Sequence, residues 1–254
     1  MSTSTRRRSN TAMKRLLALT ALACIGSADA AAPRTPVILE LFTSQSCSSC
    51  PPAEALAQRL NAQQPVAGVE VLVLAQHVDY WNDIGWKDPY SSAALTERQR
   101  RYAQTLGQPS RVYTPQAIID GRTDAIGSDE SAVIAGLKEA ASHPHQSLQF
   151  SLMRNADSLS LSLTPLAGDA GPLNYLIAIV QDGIVTAVGS GENGGRKLRE
   201  DGVVRSLQRV DPKSPPALTL PVIRGTESLR VIVFAQQQRD SRIVASAQQR
   251  VPAS

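Results

Sequence analysis

Cys47 and Cys50 stand in the run Ser46-Cys47-Ser48-Ser49-Cys50-Pro51-Pro52, between an apolar stretch and an amphipathic one. Val37 to Phe42 reads as a buried strand, and Pro51 to about Asn61 as a helix with Ala55, Leu56 and Leu60 on one face. Proline is tolerated only in the first turn of a helix, where no intrahelical donor is needed. The helix is therefore predicted to begin at Ser48 or Ser49, with Cys47 exposed at its rim and Cys50 tucked into the first turn. A sulfur held beside free backbone N–H groups and the positive helix end is stabilised as thiolate, below the usual pKa of about 8.5. A disulfide this short closes too small a loop to staple the chain. The pair points to chemistry, with Cys47 attacking and Cys50 resolving; two cysteines that merely pack are the alternative.

The rest of the first half alternates strand and helix. Val69 to Gln76 is a strand, about Ser92 to Leu106 a helix, and Gln116 to Asp120 a strand entered through Val112-Tyr113-Thr114-Pro115. Asp120-Gly121 marks a hairpin turn to Arg122–Ile126, and a last helix runs from Ser128 or Asp129 to about Ala141. Strand, helix, strand, helix, proline, strand, strand, helix is the thioredoxin order. After His143-Pro144-His145 the chain reads as short strands and turns: 148–154, 158–165, 173–181, 217–223, 229–236 and 241–251. The predicted architecture is an α/β thioredoxin-like domain over residues 31–145 followed by an all-β sandwich-like domain over residues 146–254.

Residues 1–30 have the form of a secretory signal peptide: Arg6, Arg7, Arg8, Lys14 and Arg15, an apolar run from Leu16 to Ile25, and Ala28-Asp29-Ala30 as a cleavage pattern. The apolar run is shorter than the roughly 20 residues a membrane span requires. Cleavage near Ala30 predicts a periplasmic or secreted protein without a transmembrane segment. It also removes Cys24, whose position leaves lipidation as an alternative. The formal charge is +4 for the whole chain, but without the leader 21 basic face 21 acidic residues. That neutrality, with no basic platform of aromatics, speaks against a nucleic-acid partner. Export places Cys47 and Cys50 where disulfides persist.

Further candidates cluster by position. Pro115 has the place of a cis proline facing the disulfide, exposing the backbone of Thr114 to a substrate, with an ordinary trans proline as the alternative. His77 comes off the end of the second strand at the Cys-loop edge, where it tunes Cys47 or bonds Asp79. Asp79, Tyr80, Trp81, Trp86 and Tyr113 are candidates for a substrate groove, with a loop whose Trp residues pack inward as the alternative. Glu40, in the strand before the Cys loop, is the candidate acceptor for the Cys50 proton, with solvent or a buried ion pair as the alternative that strand alternation allows. Residues 189–195 lack the ending of a phosphate loop and read as a long turn that leans on the first domain or meets a partner.

The stretches Glu40–Gln45, Cys47–Ala53, His77–Trp86, Arg98-Gln99 with Tyr102, Val112–Gly121 and Gly191-Glu192-Asn193-Gly194-Gly195 resemble a family of secreted bacterial thioredoxin-like proteins, domain of unknown function family 1223. The resemblance implies a fold and an exported location but no substrate. Thioredoxin itself has Trp before its first Cys and Gly-Pro between the pair, where this chain has Ser46 and Ser48-Ser49.

The leading expectation is a thiol-disulfide oxidoreductase acting on protein or small-molecule thiols and disulfides, with no cofactor. The alternatives are a copper or zinc handling protein using Cys47, Cys50 and His77 as ligands, and a cell-envelope binding module. Sequence fixes neither the direction of exchange nor the oligomeric state.

Overall fold

The structure, a computed structural model, describes residues 1–4, 34–155, 158–168, 171–215, 217–220 and 228–252. Most of the expected leader, with Cys24 and the cleavage position at Ala30, lies outside the described residues. The described residues from 34 onward form one compact unit.

Its first strands, β1 (Thr35–Thr43) and β2 (Val69–His77), pair in parallel with Thr43 opposite His77. Both are apolar on either face, as strands covered on two sides must be. Between them lies α1 (Pro51–Gln63), which starts at Pro51 and not at Ser48 or Ser49: Cys50 is its N-cap, and the two prolines fill the first two helical positions. Helix α2 (Ala93–Thr105) is capped by Ser92, whose hydroxyl accepts the Leu95 N–H, and α3 (Glu130–Ser142) by Asp129, which accepts from Ala132. Between them β3 (Gln116–Ile119) turns antiparallel into β4 (Thr123–Ile126). The turn has φ of 47° at Asp120 and 64° at Gly121, the pair of positive angles a tight hairpin requires.

The remaining strands are β5 (Gln146–Ser147), β6 (Gln149–Asn155), β7 (Ser158–Thr164), β8 (Leu173–Asp182), β9 (Ile184–Ala187), β10 (Lys197–Glu200), β11 (Val203–Val210), β12 (Leu218–Thr219), β13 (Ser228–Gln237) and β14 (Ile243–Arg250). Among the described residues they do not build a separate sandwich. One mixed sheet of nine strands runs β4-β3-β1-β2-β11-β8-β13-β14-β5, with strands from both halves of the chain. A small sheet β12-β7-β6 and a hairpin β10-β9 complete the strands. The expected α/β thioredoxin-like fold followed by a β-sandwich is thereby corrected to a mostly β fold around a single large sheet. The joint is β2 to β11, where Ala75 pairs with Val203 and donates its N–H to Gly202 at 2.8 Å.

Alternation distributes side chains to the two faces. One face carries Leu39, Leu41, Val71 and Val73 under α1 and α3, and further along Ile177, Ile179, Val231 and Val233 under the small sheet. The opposite face joins Ile38, Leu72 and Leu74 with Leu176, Val180, Val204 and Phe234 in a single buried cluster that includes Leu95 of α2. No helix among the described residues is long and apolar enough to cross a membrane.

A covered disulfide over a buried ionisable cluster

The last residues of β1 lead into the Cys loop, and Cys47 and Cys50 are joined there by a disulfide with Cα atoms 5.4 Å apart. Residues 44–47 and Cys50 are fully buried, while Ser48 and Ser49 are exposed. Cys47 thus does not stand exposed at a helix rim. The loop closes on itself through Cys47 N–H to the Ser44 carbonyl and Cys50 N–H to the Cys47 carbonyl, and α1 begins at once, its Ala53 and Glu54 N–H groups reaching the Cys50 carbonyl.

Two hydroxyls meet the first sulfur. Thr114 Oγ1 lies 3.3 Å and Ser49 Oγ 3.4 Å from Cys47 Sγ. Trp81 Nε1 donates to Thr114 Oγ1 at 2.9 Å. An indole nitrogen only donates, so the threonine oxygen accepts there and its own proton is left to point at the sulfur. The Thr114–Pro115 peptide bond is cis.

Beneath the loop, on the α1 face, lies an ionisable cluster. Thr43 and His77, one pair in the β1–β2 register, both point to this face. Thr43 donates to Glu54 Oε1 at 2.7 Å, and His77 Nδ1 lies 2.7 Å from Asp88 Oδ2 and Nε2 3.6 Å from Glu200 Oε1. Asp88 also accepts the Gln45 N–H, and the Gln45 side chain donates to Glu200 and Thr186. All four ionisable groups are buried. Burial pushes Glu54 up to about 8, reinforced by Glu200 and partly opposed by Thr43. Burial pulls His77 down, but Asp88 and then Glu200 outweigh it and hold the imidazole up to about 9. For Asp88, burial acts upward, yet the charge of His77 and its hydrogen bonds keep it below the usual carboxylate range. Glu200 is raised by burial against the pull of His77 and Gln45.

Several expected partners are elsewhere. Glu40 does not face Cys50: one residue out of phase with Leu39 and Leu41, it lies on the α2 face, where Arg98, Tyr102 and Gln76 donate to it. His77 bonds Asp88 rather than Asp79, whose carboxylate accepts from Thr96 of α2. Of the expected groove residues, Tyr80 and Trp81 have ring centroids 6.3 Å apart, and Tyr80 bonds Gln99, which donates to the Tyr113 carbonyl. Tyr113 turns its hydroxyl to Asp124, Trp86 Nε1 donates to Gln45 and its carbonyl accepts from Ser46, and Trp81 reaches Thr114 beside the sulfur. The cysteines are bonded to each other and His77 to carboxylates, so the three candidate metal ligands are not brought together. Among the described residues no group of three or more His, Cys, Asp or Glu is placed to hold a metal.

Sequence reasoning missed Glu54, Asp88, Gln45, Glu200 and Asn193. Asn193 is fully buried, and its Nδ2 donates to the carbonyls of Gln45 and Cys47, both at 3.0 Å. The 189–195 turn therefore leans on the Cys loop, and Arg196 beyond it donates to Asn193 Oδ1 at 2.8 Å.

Residues 38–236 match a protein family described as protein of unknown function DUF1223. Among solved structures, the crystal structure of protein AGR_C_4864 from Agrobacterium tumefaciens is similar, with a TM-score of 0.62 and 27% identity over 85% of this chain and 94% of that one. HBP35 of Porphyromonas gingivalis shares the fold at a TM-score of 0.52 and 13% identity, covering 85% of this chain and 75% of its own. No curated protein matches the chain.

Proposed function

The chain belongs to the DUF1223 family, which is described only as of unknown function, and from the surroundings of its disulfide we propose that it is a thiol-disulfide oxidoreductase. The observation that carries this reading is the asymmetry between the two sulfurs: the hydroxyls of Thr114 and Ser49 converge on Cys47. Donors at that distance stabilise a sulfur that carries negative charge, which makes Cys47 the better leaving group and the reactive thiolate.

In the exchange, a partner thiolate bonds to Cys47 Sγ and the Cys47–Cys50 bond breaks. Cys50 departs as thiolate and takes a proton from Glu54, which follows it by one helical turn and, held up to about 8, is protonated at neutral pH. Glu54 thereby becomes a carboxylate beside protonated His77, whose charge offsets the new one. A second thiol of the partner then attacks the mixed disulfide and releases Cys47 as thiolate. The partner is oxidised and the Cys47–Cys50 pair reduced; running the steps backward reduces a partner disulfide. A leader removed near Ala30 would put the protein in a periplasmic or extracellular setting that keeps the pair oxidised.

The test is to trap and titrate. Cys50→Ser should accumulate a mixed disulfide on Cys47, with a Cys47 thiolate titrating below the free-thiol value of about 8.5. Adding Thr114→Val should raise that titration. A Cys47 that forms no mixed disulfide and titrates as a free thiol in both variants defeats the reading.

A further inference from the structure

The β9–β10 hairpin lies outside the nine-stranded sheet, yet it touches the Cys loop at both ends. From its strands, Thr186 and Glu200 accept from the Gln45 side chain. From its tip, Asn193 donates to the Gln45 and Cys47 carbonyls, and the exposed Glu192 accepts the Ser48 N–H at 3.0 Å. The tip also grips the neighbouring loop: Ser190 donates to the Gly85 carbonyl, and Gly189 and Gly191 lie so close to Trp86 that an added Cβ would sit 3.2 Å from it.

Two features of the tip suit movement. Its base is closed by backbone bonds from Val188 N–H to the Arg196 carbonyl and from Gly195 N–H to the Val188 carbonyl, at 2.9 and 2.8 Å. Between these, Gly191 and Gly195 take positive φ and Gly189 has no side chain, so the tip is rich in the residue that tolerates a change of backbone angle. Meanwhile Cys47, whose backbone carbonyl it holds, is fully buried. Thiol-disulfide exchange needs an incoming sulfur within bonding reach, in line with the bond that breaks.

Resting on the oxidoreductase reading, we propose that the tip of the β9–β10 hairpin is a gate over Cys47, closed by Asn193 and Glu192, and that a substrate reaches the sulfur only when the tip lifts. The gate regulates access and takes no part in the bond exchange. Asn193 is a positioning residue for the loop backbone, and Glu192 is the latch on its exposed side.

Alkylation of the chemically reduced full chain tests this, because it reads access to Cys47 whether or not the protein exchanges disulfides with any partner. Rates with iodoacetamide and with a bulky polyethylene glycol maleimide are divided by the separately titrated thiolate fraction. Glu192→Ala should speed alkylation about ten-fold, the factor one lost charge-assisted hydrogen bond implies, and more for the bulky reagent. Glu192→Gln, which keeps an acceptor for Ser48, should stay near wild type. Asn193→Ser should behave as Glu192→Ala does, and in either opened variant the Ser48 amide should exchange its hydrogen faster. If Glu192→Ala, folded with an unchanged melting temperature, alkylates at the wild-type rate with both reagents, the gate is refuted. If rates rise but no mixed disulfide forms with any thiol substrate, the gate stands and the oxidoreductase reading falls.

Discussion

His77 is a protonated imidazole sealed among three carboxyl groups, and its role is first electrostatic. Its pKa rises from 6.5 to about 9 on folding. A group whose folded pKa is raised contributes stability that is complete below its unfolded value and is lost as pH rises through the folded one. Glu54, raised from 4.5 to about 8, acts in the same direction. The oxidised protein should therefore lose stability from about pH 4.5, where Glu54 begins to contribute, up to about pH 9, with on the order of 3 kcal/mol of the loss coming from His77 between about pH 6.5 and 9. Urea unfolding across this range should show the decline, and His77→Gln should flatten it; an unchanged slope in that variant would refute the assignment. The sequence revealed Cys47 and Cys50, and the structure brings Thr114 and Trp81 to the first of them. It misdirected the choice of carboxyl group, although alternation alone separates Glu40 from Leu39 and Leu41 and sends it to the other face. Glu54 was legible in principle as the residue one turn after Cys50. Asp88 and Glu200 were not, since only the folded chain brings them to His77.

At the level of elements, the strands and helices of the first half follow from period and caps, because each is apolar in a simple pattern and ends in Pro, Ser, Asp or Gly. The strand that decides the fold, β11, has no such pattern. A bulge between Val204 and Ser206 shifts its register against β8, which breaks the two-residue period, and its exposed Arg205 and Arg209 give it the look of a solvated turn. Its entry depends on Gly202, with φ at 70° and an added Cβ only 2.8 Å from the Val73 carbonyl oxygen. Gly202→Ala should strain this joint by roughly 1–3 kcal/mol, lowering the melting temperature seen by calorimetry while leaving the thiol content unchanged. A melting temperature equal to wild type would mean that β2 and β11 can move apart freely.

Across the whole molecule, the two halves read from sequence as successive units share one sheet and one buried cluster, in which Ile38, Leu72 and Leu74 pack with Leu176, Val204 and Phe234. Composition changes near residue 145 because helices stop there, not because the core does. A fragment of residues 31–145 would leave that apolar face and the β2 edge open. It should aggregate or lack a cooperative unfolding transition, whereas the full chain should unfold in a single step with fluorescence and circular dichroism coinciding; a soluble fragment with its own sharp transition would show that the shared core is dispensable. The β2–β11 joint also gives the protein a history. During synthesis the two cysteines emerge early, while the strand that completes β2 and the hairpin tip that covers Cys47 are made late. A newborn chain thus passes through an interval in which its sulfurs are bare, and completion of the chain is what shelters them.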